Sequence, residues 1–156
     1  MLARDLMQRN VKTVSPDATV REVAEILAQE DYTGLPVVDE EGRLVGIVTE
    51  ADLLVRAKTL KLPTVFPFLG GVIFLESPRK FEEQLRKATG TKVSEIMTRD
   101  VVTVTEDTPL HELAAIMVEK KVKRLPVVDG GRLVGIVTRD DLIRAIHLQG
   151  QNGGVS

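Results

Sequence analysis

The sequence has no cysteine and no tryptophan, a single tyrosine and two histidines. Without cysteine there are no disulfides, thiolate metal sites or thiol nucleophiles. His111 and His147 stand far apart with no ligand spacing between them, so the pattern offers no metal site. Neither sign of charge dominates: 21 Lys and Arg face 23 Asp and Glu, giving a formal net charge of -2 and a pI near 5.8. A sequence-independent nucleic-acid binder needs a concentrated basic face to displace counterions, so no nucleic-acid partner is expected. The opening MLARDLMQRN is broken by Arg4, Asp5 and Arg9 and does not read as a signal peptide, and the expected compartment is the cytoplasm. The longest apolar stretch, around Phe66 to Phe74, contains Pro67, Gly70 and Gly71 and falls short of the roughly 20 residues a membrane span needs. No phosphate-binding glycine loop, no serine with a plausible base and no metal cluster is present, so an enzyme is not expected.

What the sequence does have is a duplication. The stretch from Leu35 to Leu53 matches that from Leu125 to Leu142 with one gap at a turn and 15 identities among 18 pairs: LPVVD, Gly, RLVGIVT, Asp and Leu. The match continues upstream, where VKTVSPDATVREVAEIL from Val11 parallels VVTVTEDTPLHELAAIM from Val101, and ARDLM from Ala3 parallels VSEIM from Val93. The expected organisation is a first repeat over 1–59, a hydrophobic Phe-rich insert with a connecting helix over 60–90, a second repeat over 91–149 and a disordered polar tail over 150–156.

Each repeat changes its apolar period in a fixed order. Val11 to Val14 alternates as a short strand, and Val20, Val23, Ala24 and Leu27 then take the spacing of an amphipathic helix, as do Leu110, Leu113, Ala114 and Met117. Thr19 with Glu22 has capping-box spacing; Thr108 before Pro109 predicts an N-cap and a first-turn proline. The runs LPVV and LVGIV, separated by a turn, predict a hairpin, and a second helix follows from about Ala51 or Asp140. The fold class is therefore α+β, a mixed α/β arrangement of tandem β-α-β-β-α repeats. One repeat is too small to bury its own sheet and helix faces, so two must pack together.

The LPVVD runs, the GIVT strand ends and the segments Thr49-Glu50-Ala51-Asp52 and Thr138-Arg139-Asp140-Asp141 resemble a tandem pair of CBS domains, the modules named after cystathionine β-synthase. The resemblance implies a pseudo-twofold module with two clefts between the repeats, a regulatory role, and an adenine nucleotide as regulatory ligand in place of a catalytic cofactor.

Thr49 and Asp52, like Thr138 and Asp141, sit three residues apart at a strand-to-helix junction. That spacing fits a helix cap, in which the acid returns the hydrogen bond and complements the helix dipole. It equally fits a ribose site, because a carboxylate accepts from two vicinal hydroxyls. The resemblance favours the ribose role, and the two are compatible. It also implies that Lys123 and Arg124 reach the phosphates of a ligand held by Thr49 and Asp52, with Val101, Val102 and Thr103 along the adenine and Ile47 against it. The second cleft would combine Thr138, Asp141 and Ile136 with Val11, Lys12, Thr13, Thr33 and Gly34, leaving Arg139 as its nearest cation. Against this stand two plainer roles: EKKVKR, Glu119 to Arg124, as a solvated helix end, and each isoleucine as core.

All four phenylalanines, Phe66, Phe68, Phe74 and Phe81, lie in the insert, which fits a satellite core or a docking surface equally. Ser77 and Pro78 predict the start of a helix through Arg86. The functional expectation is a stand-alone module that senses AMP, ADP or ATP for an unidentified target protein and forms a homodimer. The alternatives are a ligand-free interaction scaffold and an S-adenosylmethionine-binding module.

Overall fold

The computed structural model describes residues 1–59, 65–68, 71–74 and 90–153. The elements in chain order are α1 (Ala3–Leu6), α2 (Val20–Gln29), β1 (Gly34–Val38), β2 (Leu44–Thr49), α3 (Glu50–Thr59), β3 (Val65–Phe68), β4 (Gly71–Phe74), α4 (Val93–Ile96), α5 (Leu110–Lys120), β5 (Arg124–Asp129), β6 (Arg132–Thr138) and α6 (Arg139–Gly153). The fold is α+β and carries the repeat as expected.

The hairpins β1-β2 and β5-β6 form as the LPVV and LVGIV runs require. Their turns account for the single gap between the repeats. In the second copy Gly130 and Gly131 both take positive φ, 59° and 85°, and close a two-residue loop between the paired Asp129 and Arg132. In the first copy the Asp39 carboxylate accepts from the backbone N–H of Glu41 and of Arg43, each at 2.9 Å, and only Gly42 turns to positive φ.

The strand expected over Val11 to Val14 contracts to one residue. Val14 bridges Val37 in parallel, and Val104 bridges Val127 in the same way. The Val14 N–H donates to the Pro36 carbonyl at 3.1 Å and the Val104 N–H to the Pro126 carbonyl at 3.0 Å. Extending either ladder toward Lys12 or Val102 would require an N–H from Pro36 or Pro126, which proline lacks.

Helix α2 starts with the expected box: the Glu22 N–H donates to Thr19 Oγ1 at 3.2 Å, and the Thr19 N–H donates to the Glu22 carboxylate at 3.3 Å. Its counterpart α5 departs from expectation. Pro109, with extended ψ, is itself the N-cap, and Thr108 turns back to accept from the Thr105 N–H at 3.2 Å. Helix α6 runs on through Gly153, past Gly150, where the sequence reading places a disordered tail. Gln151 meets His147 one turn earlier at 3.2 Å, a pairing that composition alone does not reveal.

In the insert, β3 and β4 pair antiparallel with Val65 opposite Phe74 and Phe68 opposite Gly71. The expected helix from Ser77 to Arg86 lies outside the described residues, as does Phe81. Pro67 is tolerated within β3 because a two-stranded sheet has only edges.

The chain folds into two compact units, and each draws on both repeats. Unit 1 comprises 1–13, 38–44 and 100–156; unit 2 comprises 14–37 and 45–99. The core of unit 1 contains Val104, Leu113, Met117, Leu125, Val127, Val137 and Leu142, closed by Ala3 and Met7 from the start of the chain. The core of unit 2 contains Val14, Val23, Leu35, Val37 and Val48, closed by Val93 and Met97. Four-residue helices such as α1 and α4 do not stand alone in water. Each is tied down by backbone bonds: Ala3 N–H to the Thr108 carbonyl and Val93 N–H to the Ala18 carbonyl, both at 2.8 Å. The repeats are contiguous in sequence while the packed units are not.

Candidate functional site

In unit 2, β2 ends at Thr49 and α3 begins at Glu50, so Asp52 is the third helical residue. The Thr49 N–H donates to Asp52 Oδ2 at 2.9 Å, Thr49 Oγ1 lies 3.3 Å from the same oxygen, and the Asp52 N–H donates to Thr49 Oγ1 at 3.5 Å. This is the cap that the spacing predicts. It leaves Oδ1 facing outward, where the Thr98 hydroxyl donates to it at 3.2 Å. Thr98 is held by paired backbone bonds to Ile47, at 2.9 and 2.8 Å. The Thr33 carbonyl accepts from the Glu50 N–H at 3.1 Å, which anchors the entry to β1 against the start of α3.

Unit 1 repeats the arrangement with different neighbours. The Thr138 N–H and hydroxyl donate to Asp141 Oδ2 at 2.8 and 2.9 Å, and the Asp141 N–H donates to Thr138 Oγ1 at 3.3 Å. The Lys123 carbonyl accepts from the Arg139 N–H at 2.8 Å, as Thr33 does for Glu50. Gln8 takes the place of Thr98: its backbone pairs with Ile136, and its amide nitrogen lies 3.3 and 3.5 Å from the two Asp141 oxygens. Arg144 adds an ion pair to Asp141 Oδ1 at 2.6 Å. Asp141 is 6% exposed, whereas Asp52 is half-buried.

Among the remaining sequence-predicted residues, Val101, Val102 and exposed Thr103 lead to the Val104 bridge in unit 1. Val11, exposed Lys12 and Thr13 close the first segment of that unit, three to five positions beyond the Gln8 bridge to Ile136. Lys123 and Arg139 are exposed, and Arg124 is half-buried at the first position of β5. Exposed Thr33 and buried Gly34 lie at the entry to β1 in unit 2. Ile136 is buried and Ile47 half-buried. Unit 1 thus brings Thr138, Asp141, Arg139 and Ile136 together, and unit 2 brings Thr49, Asp52, Ile47 and Thr33 together. Sequence reasoning missed Thr98, Gln8 and Arg144. The signal for the first two was present, since each directly follows the methionine of a duplicated segment, Met97 and Met7. Arg144 stands three positions beyond Asp141, one helical turn on. No described helix is long and apolar enough to cross a membrane.

The CBS domain family model matches residues 3–58 and 93–148. An uncharacterized protein of Methanocaldococcus jannaschii is 35% identical over 154 residues, covering 94% of this chain and 91% of that protein. The chloroplastic CBS domain-containing protein CBSX2 of Arabidopsis thaliana is 32% identical over 143 residues, 88% of this chain and 59% of that protein. A crystal structure of CBSX2 in complex with AMP superposes with a TM-score of 0.72 at 31% identity, covering 96% of this chain and 98% of that one. The CBS domain pair of the protein MJ0100, in complex with 5'-methylthioadenosine and S-adenosyl-L-methionine, gives 0.67 at 29% identity, with 96% and 98% coverage. The two matched segments coincide with the two halves of the internal repeat, and on that ground the chain belongs to the CBS domain family as a tandem CBS pair.

Proposed function

We propose that this CBS pair is a regulatory module that binds an adenosine-containing ligand, AMP, ADP or ATP, through its two carboxylate-threonine units. Thr49 and Asp52 hold one ribose, with Ile47 and Val101, Val102 and Thr103 along its adenine and Lys123 and Arg124 at its phosphates. Thr138, Asp141 and Ile136 hold the other, with Val11, Lys12, Thr13, Thr33 and Gly34 beside it and Arg139 as the cation. The observation that carries this reading is Asp52: one oxygen is consumed by the cap, while the other accepts from a single neutral hydroxyl, that of Thr98. Such an oxygen can exchange the hydroxyl of Thr98 for the hydroxyls of a cis-diol at little cost. The AMP bound in the CBSX2 structure supports the reading. The ligands of the MJ0100 pair keep S-adenosylmethionine as the competing occupant.

Binding becomes regulation when the ligand favours one arrangement of the chain over another that a target protein distinguishes. Assembly as a homodimer belongs to the same proposal. It is supported by apolar side chains left in solvent on α3 and α6, where Leu54 is 70% and Ile143 57% exposed. Calorimetric titration with adenosine, AMP, ATP and S-adenosylmethionine tests the ligand assignment. Saturable binding of at least one of them is expected, and absence of saturation by all four would leave the scaffold role in its place.

A further inference from the structure

The two carboxylates that are equivalent in sequence are not equivalent in what they already hold. Asp52 Oδ1 accepts from the Thr98 hydroxyl at 3.2 Å, and among the described residues no cation pairs with it. Asp141 Oδ1 is engaged by the Arg144 guanidinium at 2.6 Å and by the Gln8 amide at 3.3 Å. The residue of the first repeat that corresponds to Arg144 is Val55, exposed on α3. Both carboxylates carry the same threonine cap on Oδ2, to which Gln8 adds only a 3.5 Å contact in Asp141, so the main difference lies on the oxygen that a diol would use.

We propose that Arg144 ranks the two ribose sites. It occupies the Asp141 acceptor, so an uncharged nucleoside fills the Asp52 site first and reaches Asp141 only by displacing the guanidinium. The inference rests on the adenosine-binding reading above and adds to it an order of occupancy. The pair is strong enough to matter because its acceptor end is buried, which limits screening by water. It can also be broken without disturbing the core, because the Arg144 side chain is 67% exposed.

The test uses adenosine, which has no phosphate for any cation to hold, in calorimetric titrations of the full chain. Asp141→Ala isolates the Asp52 site and Asp52→Ala the Asp141 site. Within the Asp52→Ala background, Arg144→Ala should tighten adenosine binding about tenfold, the scale of a charge-assisted contact that no longer has to be broken. Val55→Arg, within the Asp141→Ala background, should weaken binding at Asp52 by installing the same pair one turn along α3. Unchanged or weaker binding at Asp141 after Arg144→Ala, with Val55→Arg silent, would overturn the ranking while leaving adenosine binding intact. Absence of adenosine binding from every variant and from the parent chain would overturn both the ranking and the reading beneath it.

Discussion

A Cβ on Gly46 would lie 2.6 Å from the sulfur of Met97 and 3.0 Å from the carbonyl oxygen of Thr98. Gly135 stands in the same relation to Met7 and Gln8, at 2.7 and 3.0 Å. The glycine of each GIVT strand is therefore the surface on which the exchanged short segment sits. Gly46→Ala should destabilise unit 2 by about 1–3 kcal/mol, the usual cost of overpacking. Pairing it with Met97→Ala should not restore stability, because the Thr98 carbonyl is backbone and cannot swing aside as the thioether can. Urea denaturation of the single and double variants measures this.

The ribose and phosphate contacts separate chemically. Asp52→Ala should weaken adenosine and AMP alike, and Arg124→Ala should weaken AMP alone, each by about 1.5–3 kcal/mol for a bond to a charged group. Raising salt should reduce AMP affinity more than adenosine affinity. Titration of both ligands against both variants at two salt concentrations checks the pattern. Equal loss of adenosine in Arg124→Ala would remove that residue from the phosphate role.

Two caps that look alike in the sequence should behave differently. Thr19 Oγ1 accepts from Glu22, whereas Thr108 serves the Thr105 turn and leaves α5 to Pro109. Thr19→Ala should cost about 1 kcal/mol through the lost cap. In Thr108→Ala the bond to Thr105 is lost while the N-terminus of α5 is unchanged. Amide exchange tells the two apart: protection should fall in the first turn of α2 for Thr19→Ala and stay unaltered in that of α5 for Thr108→Ala.

Lys121 ends α5 in the left-handed region at φ 55°. A side chain there is strained, and glycine is not. Lys121→Gly should raise stability by about 0.5–1 kcal/mol after the extra freedom of the unfolded chain is counted. The midpoint of thermal or urea unfolding reports it directly.

If α6 contributes to a homodimer, Ile143→Glu with Ile146→Glu should convert it to a 17.2 kDa species. Light scattering of both proteins at equal concentration decides; a parent chain already at that mass would end the proposal.

The parts of this molecule that were legible in sequence are those set by neighbours along the chain. Thr19 with Glu22, Thr49 with Asp52 and Thr138 with Asp141 act at three-residue range, where spacing alone fixes which groups meet. The hairpins followed from LPVVD and RLVGIVT for the same reason. What was not legible depended on choice among equals. Ala3 and Val93 occupy equivalent places in the two repeats, each a small apolar residue four positions before a methionine, and that shared pattern does not say which core either will enter. The length of the strand at Val14 was hidden because it is limited by missing donors on Pro36 and Pro126, residues of a different strand. Arg144 was not legible because an arginine three positions beyond an aspartate on a helix reads as an ordinary surface pair, and only burial of the Asp141 carboxylate sets this one apart.

The exchange of short segments sets an order on synthesis. Residues 1–7 leave the ribosome about a hundred residues before the core they close, which includes Leu113, Leu125 and Val137. Elongation at about 5–20 residues per second leaves them waiting several seconds for that core. The first repeat waits as well, since Val93 and Met97 must be made before its own core is sealed. A ribosome stalled between the repeats would therefore hold a nascent chain with Val23, Leu35 and Val48 still uncovered, a natural client for a holding chaperone.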